Sequence, residues 1–83
     1  MYYIYYLQSK KDKNHTYIGY TADLVERVER HNNELVLSTK PYKPWKLIFY
    51  EAYLNKADAK RREEYLKTTK GRKTLKFMLR DSL

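Results

Sequence analysis

Aromatic and β-branched residues are concentrated in three short runs, and each run predicts a β-strand. The first run covers residues 2–7 and the second covers residues 16–20, with the polar segment 9–14 between them. Because this connection is short, the two strands are expected to form an antiparallel hairpin. The third run, residues 45–53, is the most apolar stretch of the chain and predicts the third strand.

Apolar residues at helical spacing predict a first helix that ends near Asn32, with Thr21 as its expected N-cap. Asp23 is expected in the first turn, where the helix dipole favours a negative charge. Leu24 and Val28 lie one turn apart and form the expected buried stripe, and Val25 lies at its margin.

Two more helices are predicted after the third strand. Asn55 is expected to cap a helix from residue 56 to about residue 69, with Gly71 ending it. A last helix, roughly residues 73–81, carries four apolar residues on one side: Leu75, Met78, Leu79 and Leu83. Before the third strand, residues 33–44 predict an irregular connection broken by two prolines.

The predicted order, β-β-α-β-α-α, is that of an α+β domain in which a small three-stranded antiparallel sheet is flanked by helices. At 83 residues the chain is expected to form one domain, residues 1–83. It has no cysteine, which suits a reducing cytoplasm. Residues 1–7 lack a basic leader and are too short to span a bilayer, so we expect no signal peptide, no membrane helix and a cytoplasmic location.

Basic residues outnumber acidic ones, with 18 Lys and Arg against 10 Asp and Glu and a formal net charge of +8. Most of the excess lies in residues 56–83. Such a basic face predicts a polyanion partner, and nucleic acid is favoured over membrane because no strongly apolar helix face backs the charges. From charge alone, a solvated surface without such a partner is the alternative.

Arg27 and His31 lie one turn apart on a shoulder of the buried stripe of the first helix. Taken singly, His31 is more typical of a satisfied core or surface histidine, and Arg27 of a partner for a neighbouring acid such as Glu26. The chain has two histidines, too few for a histidine metal cage. Side by side on the edge of a core-facing surface, however, a guanidinium and an imidazole indicate a site.

Glu63 is expected on the inward side of the second helix, between Ala59 and Leu66, whereas Glu64 points about 100° away into solvent. Burying an unpaired carboxylate costs several kcal/mol, so Glu63 needs a cation. Lys67, one turn further on, supplies one, and a metal ion is the alternative.

Tyr5 and Tyr17 would by themselves be ordinary core or sheet-surface residues. Together with Arg27, His31 and Glu63, however, Tyr3-Ile4-Tyr5 and Tyr17-Ile18-Gly19 resemble the GIY-YIG nuclease family, in its small single-domain branch. That branch is similar to the catalytic domain of the bacterial nucleotide excision repair nuclease. The resemblance covers almost the whole chain and includes further segments: Tyr20-Thr21, Asp23-Leu24, Asn32, Ser38-Thr39-Lys40, Pro44-Trp45, Arg62 and Tyr65-Leu66-Lys67.

Three positions depart from the family pattern. Tyr3 replaces the glycine of the first motif. Tyr20 stands where the repair nucleases carry a lysine, and His31 stands where they carry a tyrosine. The last two departures bear on which group deprotonates the nucleophile.

The resemblance implies metal-dependent hydrolysis of DNA phosphodiester bonds, with one Mg²⁺ (or Mn²⁺) ion held by Glu63 and Arg27 neutralising charge on the phosphoryl oxygens. Tyr17, with Tyr5 or His31 nearby, would orient or deprotonate the attacking water. A free tyrosine has a pKa near ~10 and a free imidazole near ~6.5. These ordinary pKa values make His31 the easier base. The resemblance nevertheless ranks Tyr17 first and leaves His31 second.

Basic residues of the last two helices are expected to bind DNA phosphates without reading bases. They are Lys60, Arg61, Lys67, Lys70, Arg72 and Lys73. We expect little sequence preference, or targeting by DNA shape or by a partner protein. The pathway stays open among repair, recombination and defence.

Two competing hypotheses remain. The first is a nucleic-acid-binding module on the same fold that does not cut. Such a module would have no reason to place the Glu63 carboxylate facing a bound phosphate. The second is a structural domain with an incidental basic surface, which leaves Arg27, His31 and inward Glu63 unexplained.

Overall fold

The sheet has three strands, with β1 (Tyr2–Ser9) at the centre, β2 (Thr16–Thr21) on one side and β3 (Trp45–Tyr53) on the other. The computed structural model describes residues 1–33 and 35–83 of the chain. Both strand pairs are antiparallel, and a register shift interrupts the β1–β3 pair after Tyr6. Tyr5 therefore lies opposite Gly19 on β2 and opposite Tyr50 on β3.

Three helices complete the fold: α1 (Leu24–Asn32), α2 (Lys56–Leu66) and α3 (Thr69–Met78). The element order β-β-α-β-α-α and the predicted α+β class are confirmed. Within the described residues, no helix combines the length and apolarity needed to cross a membrane.

The two faces of the sheet carry separate apolar clusters. Helices α2 and α3 cover one face, whose core contains Ile4, Tyr6, Ile18, Ala59, Leu66, Leu75 and Leu79. On the other face, Tyr5, Leu7 and Trp45 pack with the partly buried Leu24 and Val28 of α1. Four consecutive β1 residues, 4–7, are buried because side chains on both faces of this central strand are covered. Val25, expected at the margin of the stripe, is exposed.

The prediction that Thr21 caps helix α1 is wrong, because the helix begins further along the chain. Thr21 still pairs with Tyr3 in the sheet, and its hydroxyl accepts a hydrogen bond from the Asp23 N–H. Asp23 is the N-cap, and its carboxylate accepts a hydrogen bond from the Glu26 N–H at 3.2 Å. Strand β2 thus extends to Thr21, the residue that the local sequence pattern predicts as a helix cap.

The junction between α2 and α3 also differs from the prediction. Helix α2 ends at Leu66, and Thr68 caps α3 by accepting a hydrogen bond from the Gly71 N–H at 3.0 Å. Gly71 therefore lies in the first turn of α3 and does not end α2. A Cβ atom there would overlap the carbonyl of Tyr65, so this glycine is explained by the close approach of the two helices.

The prediction of four apolar residues on one side of the last helix is confirmed for two of them. Leu75 and Leu79 are buried in the core, whereas Met78 and Leu83 are exposed. The predicted irregular connection 33–44 contains a short 3₁₀ turn, Lys40–Tyr42, and its residue 34 lies outside the described residues.

Candidate functional site

Tyr5 is fully buried in the centre of β1, and its ring lies against Gly19 of β2. A Cβ atom at Gly19 would overlap the ring and the hydroxyl of Tyr5. The missing side chain therefore lets the tyrosine reach across the neighbouring strand toward α1. In the sequence, a glycine inside the second strand is the signal for such a close approach.

The Tyr5 hydroxyl connects two residues of α1. Arg27 donates from Nε to Tyr5 Oη at 3.3 Å, and Tyr5 Oη lies 2.8 Å from His31 Nε2. The other ring nitrogen, His31 Nδ1, lies 2.8 Å from the Thr39 hydroxyl, which donates its own proton to the Val36 carbonyl at 3.2 Å. Thr39 must then accept from Nδ1–H, so Nε2 accepts from the Tyr5 hydroxyl.

Burial keeps both titratable groups of this network, Tyr5 and His31, uncharged at neutral pH. Burial, opposed in part by the hydrogen bond from Arg27, raises the pKa of Tyr5 to about 12. Burial, together with the positive charges of Arg27 and Arg30, lowers the pKa of His31 to about 4. His31 is fully enclosed with both ring nitrogens bonded, so it is a far weaker base than a free imidazole. The preference for His31 as a base rested on its ordinary pKa and loses that support.

Tyr17 completes the cluster. Its ring centroid lies 4.8 Å from that of His31 and 6.1 Å from that of Tyr5, and Tyr17 is partly exposed. The hydrogen bond with Tyr5 is the largest cause that raises the pKa of Arg27, and Tyr17 contributes as well. Arg27 is thus anchored by tyrosines, and Glu26 instead contacts Arg30 at 3.6 Å. The structure brings together four of the five predicted catalytic residues.

The fifth, Glu63, lies on α2 with 8% of its surface exposed. Its two carboxylate oxygens contact Lys60 Nζ at 3.3 Å and Lys67 Nζ at 3.4 Å. Lys67 was predicted as a partner, but Lys60 was not. Glu63 acts on the cluster electrostatically, since its negative charge is one of the smaller causes of the raised Tyr5 pKa. Glu64 is exposed, as predicted.

The six predicted phosphate-binding residues are all exposed, but they differ in their partners. Lys60 and Lys67 neutralise Glu63, and the ammonium of Lys60 also lies 4.8 Å from the centroid of the Tyr20 ring. Arg61 pairs with Asp58 at 2.9 Å. The other three lie on α3: Lys70, Arg72 and Lys73.

Sequence reasoning assigned no role to Thr39 or to the side chain of Asn32. Thr39 is buried, and its carbonyl also accepts from Trp45 Nε1 at 2.9 Å. Asn32 accepts from the Trp45 N–H at 2.6 Å and donates to its carbonyl at 3.2 Å, which fastens the end of α1 to the start of β3. Thr39 lies in an irregular segment, so no periodicity in the sequence points it at His31.

Comparison with known proteins identifies the family. The model of the GIY-YIG catalytic domain matches residues 1–76. The chain belongs to the GIY-YIG family. The GIY-YIG chain is 34% identical over 77 residues to a UPF0213 protein of Staphylococcus saprophyticus, and this match covers 92% of each protein.

Two further relatives carry the same UPF0213 name, which describes no activity. The protein from Pediococcus pentosaceus is 35% identical over 71 residues, covering 84% of this GIY-YIG chain and 75% of the relative. The protein from Clostridium perfringens is 37% identical over 68 residues, covering 81% and 71%.

The two motifs that name the GIY-YIG family meet in the sheet. Tyr5, the last residue of the first motif, lies against Gly19, the last residue of the second. Tyr17 opens the second motif and lies beside His31. The family pattern therefore places two tyrosines around the arginine of α1.

The donor set of this GIY-YIG domain fits a hard divalent ion better than zinc. Among residues 1–33 and 35–83, no group of three or more His, Cys, Asp or Glu is close enough to hold a metal ion. A closed zinc site needs such a group. Magnesium instead binds through one or two carboxylates and keeps water and substrate phosphate as its other ligands. The nearly buried Glu63 carboxylate suits that role, provided that Lys60 and Lys67 release its oxygens.

A Gly19→Ala substitution is expected to lower the free energy of unfolding by about 1–3 kcal/mol, because the added methyl group overpacks the Tyr5 ring. Urea denaturation of the two proteins measures the effect. Thr16→Ala, at an exposed position of the same strand, is the control and should change stability by less than about 0.5 kcal/mol. Equal stability of Gly19→Ala and the wild type would contradict the packing of Tyr5 against β2.

His31 is expected to make folding stability depend on pH. Between a pKa of 6.5 in the unfolded chain and about 4 in the folded one, the unfolded state binds more protons, so stability falls as the pH drops through this window. The full loss is on the order of 3 kcal/mol. Urea denaturation at several pH values measures it, and His31→Gln should flatten this part of the profile. His15→Gln, at a partly exposed histidine, should leave the slope in place.

Proposed function

We propose that this GIY-YIG domain is a metal-dependent endonuclease that hydrolyses DNA phosphodiester bonds, with structure selectivity or weak sequence preference. The observation that carries the proposal is the Arg27–Tyr5–His31 hydrogen-bonded cluster in a chain of a nuclease family. A guanidinium held at a defined position suits an enzyme that must stabilise charge developing on a phosphoryl group. The branched DNA intermediates of repair and recombination in the cytoplasm are the substrates we expect.

Arg27 supplies the positive charge for the reacting phosphate. Its Nε is engaged by the buried Tyr5 hydroxyl at 3.3 Å, which fixes the plane of the guanidinium. A preorganised donor costs no reorganisation when charge builds on the phosphoryl oxygens. Since its pKa is raised, chiefly by the hydrogen bond with Tyr5, Arg27 stays charged throughout the reaction.

Tyr17 orients the attacking water in this proposal, and His31 positions Tyr5. Tyr17 is partly exposed and lies beside Arg27 and His31, so its hydroxyl is available to a water molecule near the bound phosphate. His31 is enclosed and accepts a hydrogen bond from the Tyr5 hydroxyl, which orients the tyrosine that holds Arg27. Tyr5 stays protonated at neutral pH because its pKa is raised to about 12.

Glu63 would hold the divalent ion, and the ion when bound would stabilise the departing 3′-oxygen as a Lewis acid. Lys60 and Lys67 contact the carboxylate at 3.3 and 3.4 Å and neutralise its charge. Both lysine side chains are about half exposed, so a bound phosphodiester would offer them an alternative anion and free the carboxylate oxygens.

Nicking of supercoiled plasmid and of branched oligonucleotides, with Mg²⁺ or Mn²⁺ and with EDTA, tests the proposal. We expect cutting with the metal ions and none after chelation, with branched DNA cut faster than linear duplex. Binding of DNA without cutting of any substrate, with either metal, would instead indicate a nucleic-acid-binding module on the GIY-YIG fold.

A further inference from the structure

An open pocket of about 760 Å³ lies between the β1–β2 hairpin and helix α3. Four cationic side chains line it: Lys13 from the hairpin, Lys67 after α2, and Arg72 and Lys76 on α3. The described residues that line the pocket include no Asp or Glu. Sequence reasoning assigned no binding role to Lys13 or Lys76, because the hairpin and α3 meet only in the folded chain.

The charge of this pocket is largely available to a ligand. In the part of the chain that the structure describes, no ion pair engages Lys13, Arg72 or Lys76. Arg61 on α2 differs, since Asp58 already holds it. Several like charges around one concave surface repel one another, and an anion bound among them relieves that repulsion.

The pocket adjoins the candidate active site at two points. Tyr17 is one of its lining residues, and the Tyr17 ring lies 4.8 Å from the His31 ring centroid. Lys67 is another, and its ammonium contacts the Glu63 carboxylate at 3.4 Å. The pocket therefore shares Tyr17 with the candidate active site and includes the lysine that contacts Glu63.

We propose that this pocket binds the phosphates of a single-stranded DNA segment next to the phosphodiester that is cut. The inference rests on the proposed nuclease function and identifies the single-stranded segment as the feature of DNA structure that the protein recognises. The volume is that of a small-ligand pocket and accommodates a few nucleotides, whereas a duplex, whose major groove alone is about 12 Å wide, is too large to enter.

The aromatic residues of the pocket also suit a single strand. The partly exposed Tyr17 and His15 line it, and the His15 ring stacks on Tyr42 at a centroid distance of 3.7 Å. Proteins that bind single strands combine a cationic groove with rings on which unpaired bases stack. In a duplex the bases are paired and already stacked on one another, so stacking on these rings would contribute less to the binding of a duplex.

The test compares two double variants that remove the same charge. Arg72→Gln/Lys76→Gln changes the pocket, and Lys40→Gln/Lys56→Gln removes two exposed lysines that do not line it. Binding of a fluorescein-labelled oligothymidylate, and of its duplex with oligoadenylate, is followed by fluorescence anisotropy in EDTA, so that nothing is cut. All four side chains are exposed, so both variants should fold, which thermal unfolding checks.

The pocket variant is expected to bind the single strand about tenfold more weakly at moderate salt, with the slope of log K against log salt smaller by about 1.4, because two phosphate contacts are lost. Its duplex binding should match that of the control variant. Equal losses of single-strand binding in the two variants, or an equal loss on duplex and single strand, would overturn the proposal.

Cleavage separates this inference from the proposed function. If the wild type cuts DNA while the pocket variant binds the single strand normally, the pocket proposal fails and the nuclease proposal stands. If the pocket variant loses single-strand binding while the wild type cuts nothing, the pocket is a nucleic-acid site and the nuclease proposal fails.

Discussion

A Glu63→Gln variant is expected to nick supercoiled plasmid at least about a thousandfold more slowly than the wild type. The substitution keeps the size of the side chain but removes the negative charge with which, in the proposed mechanism, the nearly buried Glu63 would hold a divalent ion. Lewis-acid stabilisation by a metal ion is worth several kcal/mol, and each ~1.4 kcal/mol is a factor of ten in rate. Initial rates of nicking in Mg²⁺ measure the loss.

Glu64→Gln is the matched control, because it removes the same charge one residue further along α2 from an exposed side chain. It should nick at the wild-type rate. The Glu63→Gln fold should persist, because glutamine keeps the size of the side chain and the two lysines it leaves behind are about half exposed, so their charges stay solvated. Undiminished nicking by Glu63→Gln would mean that another residue holds the metal.

Arg27→Ala is expected to lower the nicking rate about 10²- to 10³-fold, the usual effect of deleting one preorganised donor to a developing oxyanion. The loss should fall mainly on kcat, because this interaction strengthens as charge develops in the transition state. Arg27→Lys should recover little, since an ammonium cannot keep the Nε–H bond to Tyr5 while presenting a planar fork to the phosphate.

Arg30→Ala is the control for Arg27→Ala, because Arg30 lies on the same helix and pairs with Glu26 at the surface. It should nick at close to the wild-type rate. A second measurement reports on the geometry independently of cutting. The positive charge of Arg27 lowers the His31 pKa, so Arg27→Ala should raise that pKa in an NMR titration. A wild-type rate in Arg27→Ala would show that this guanidinium does not contact the reacting phosphate.

The strands and the order of the elements were predictable because they depend on local pattern. Clusters of β-branched and aromatic residues marked all three strands, and the third was predicted with its observed bounds, Trp45–Tyr53. Helical spacing placed Ala59, Glu63 and Leu66 on the buried side of α2, where the structure has them. Side-chain period follows from backbone geometry alone, so it can be read without knowledge of the packing.

The errors lie where a distant contact overrides a local signal. Thr21 has the chemistry of an N-cap, but pairing with Tyr3 across the sheet keeps it in β2. Gly71 is typical of a helix end, but it is where α3 passes against the backbone of α2. Residues far apart in the chain decided both outcomes, and no window of neighbouring residues contains them.

The candidate site divides in the same way. The sequence by itself determined the fold class, the basic charge and the placing of Arg27 and His31 on one shoulder of a helix, because these follow from residue type and helical period. The tertiary structure decided that Tyr5 reaches across Gly19 to Arg27, that Thr39 and Tyr5 bond the two nitrogens of a neutral His31, and that Lys13 and Lys76 share a pocket with Tyr17. Burial and electrostatic fields are set by everything that surrounds a group in space, and that surrounding exists only after the chain has folded.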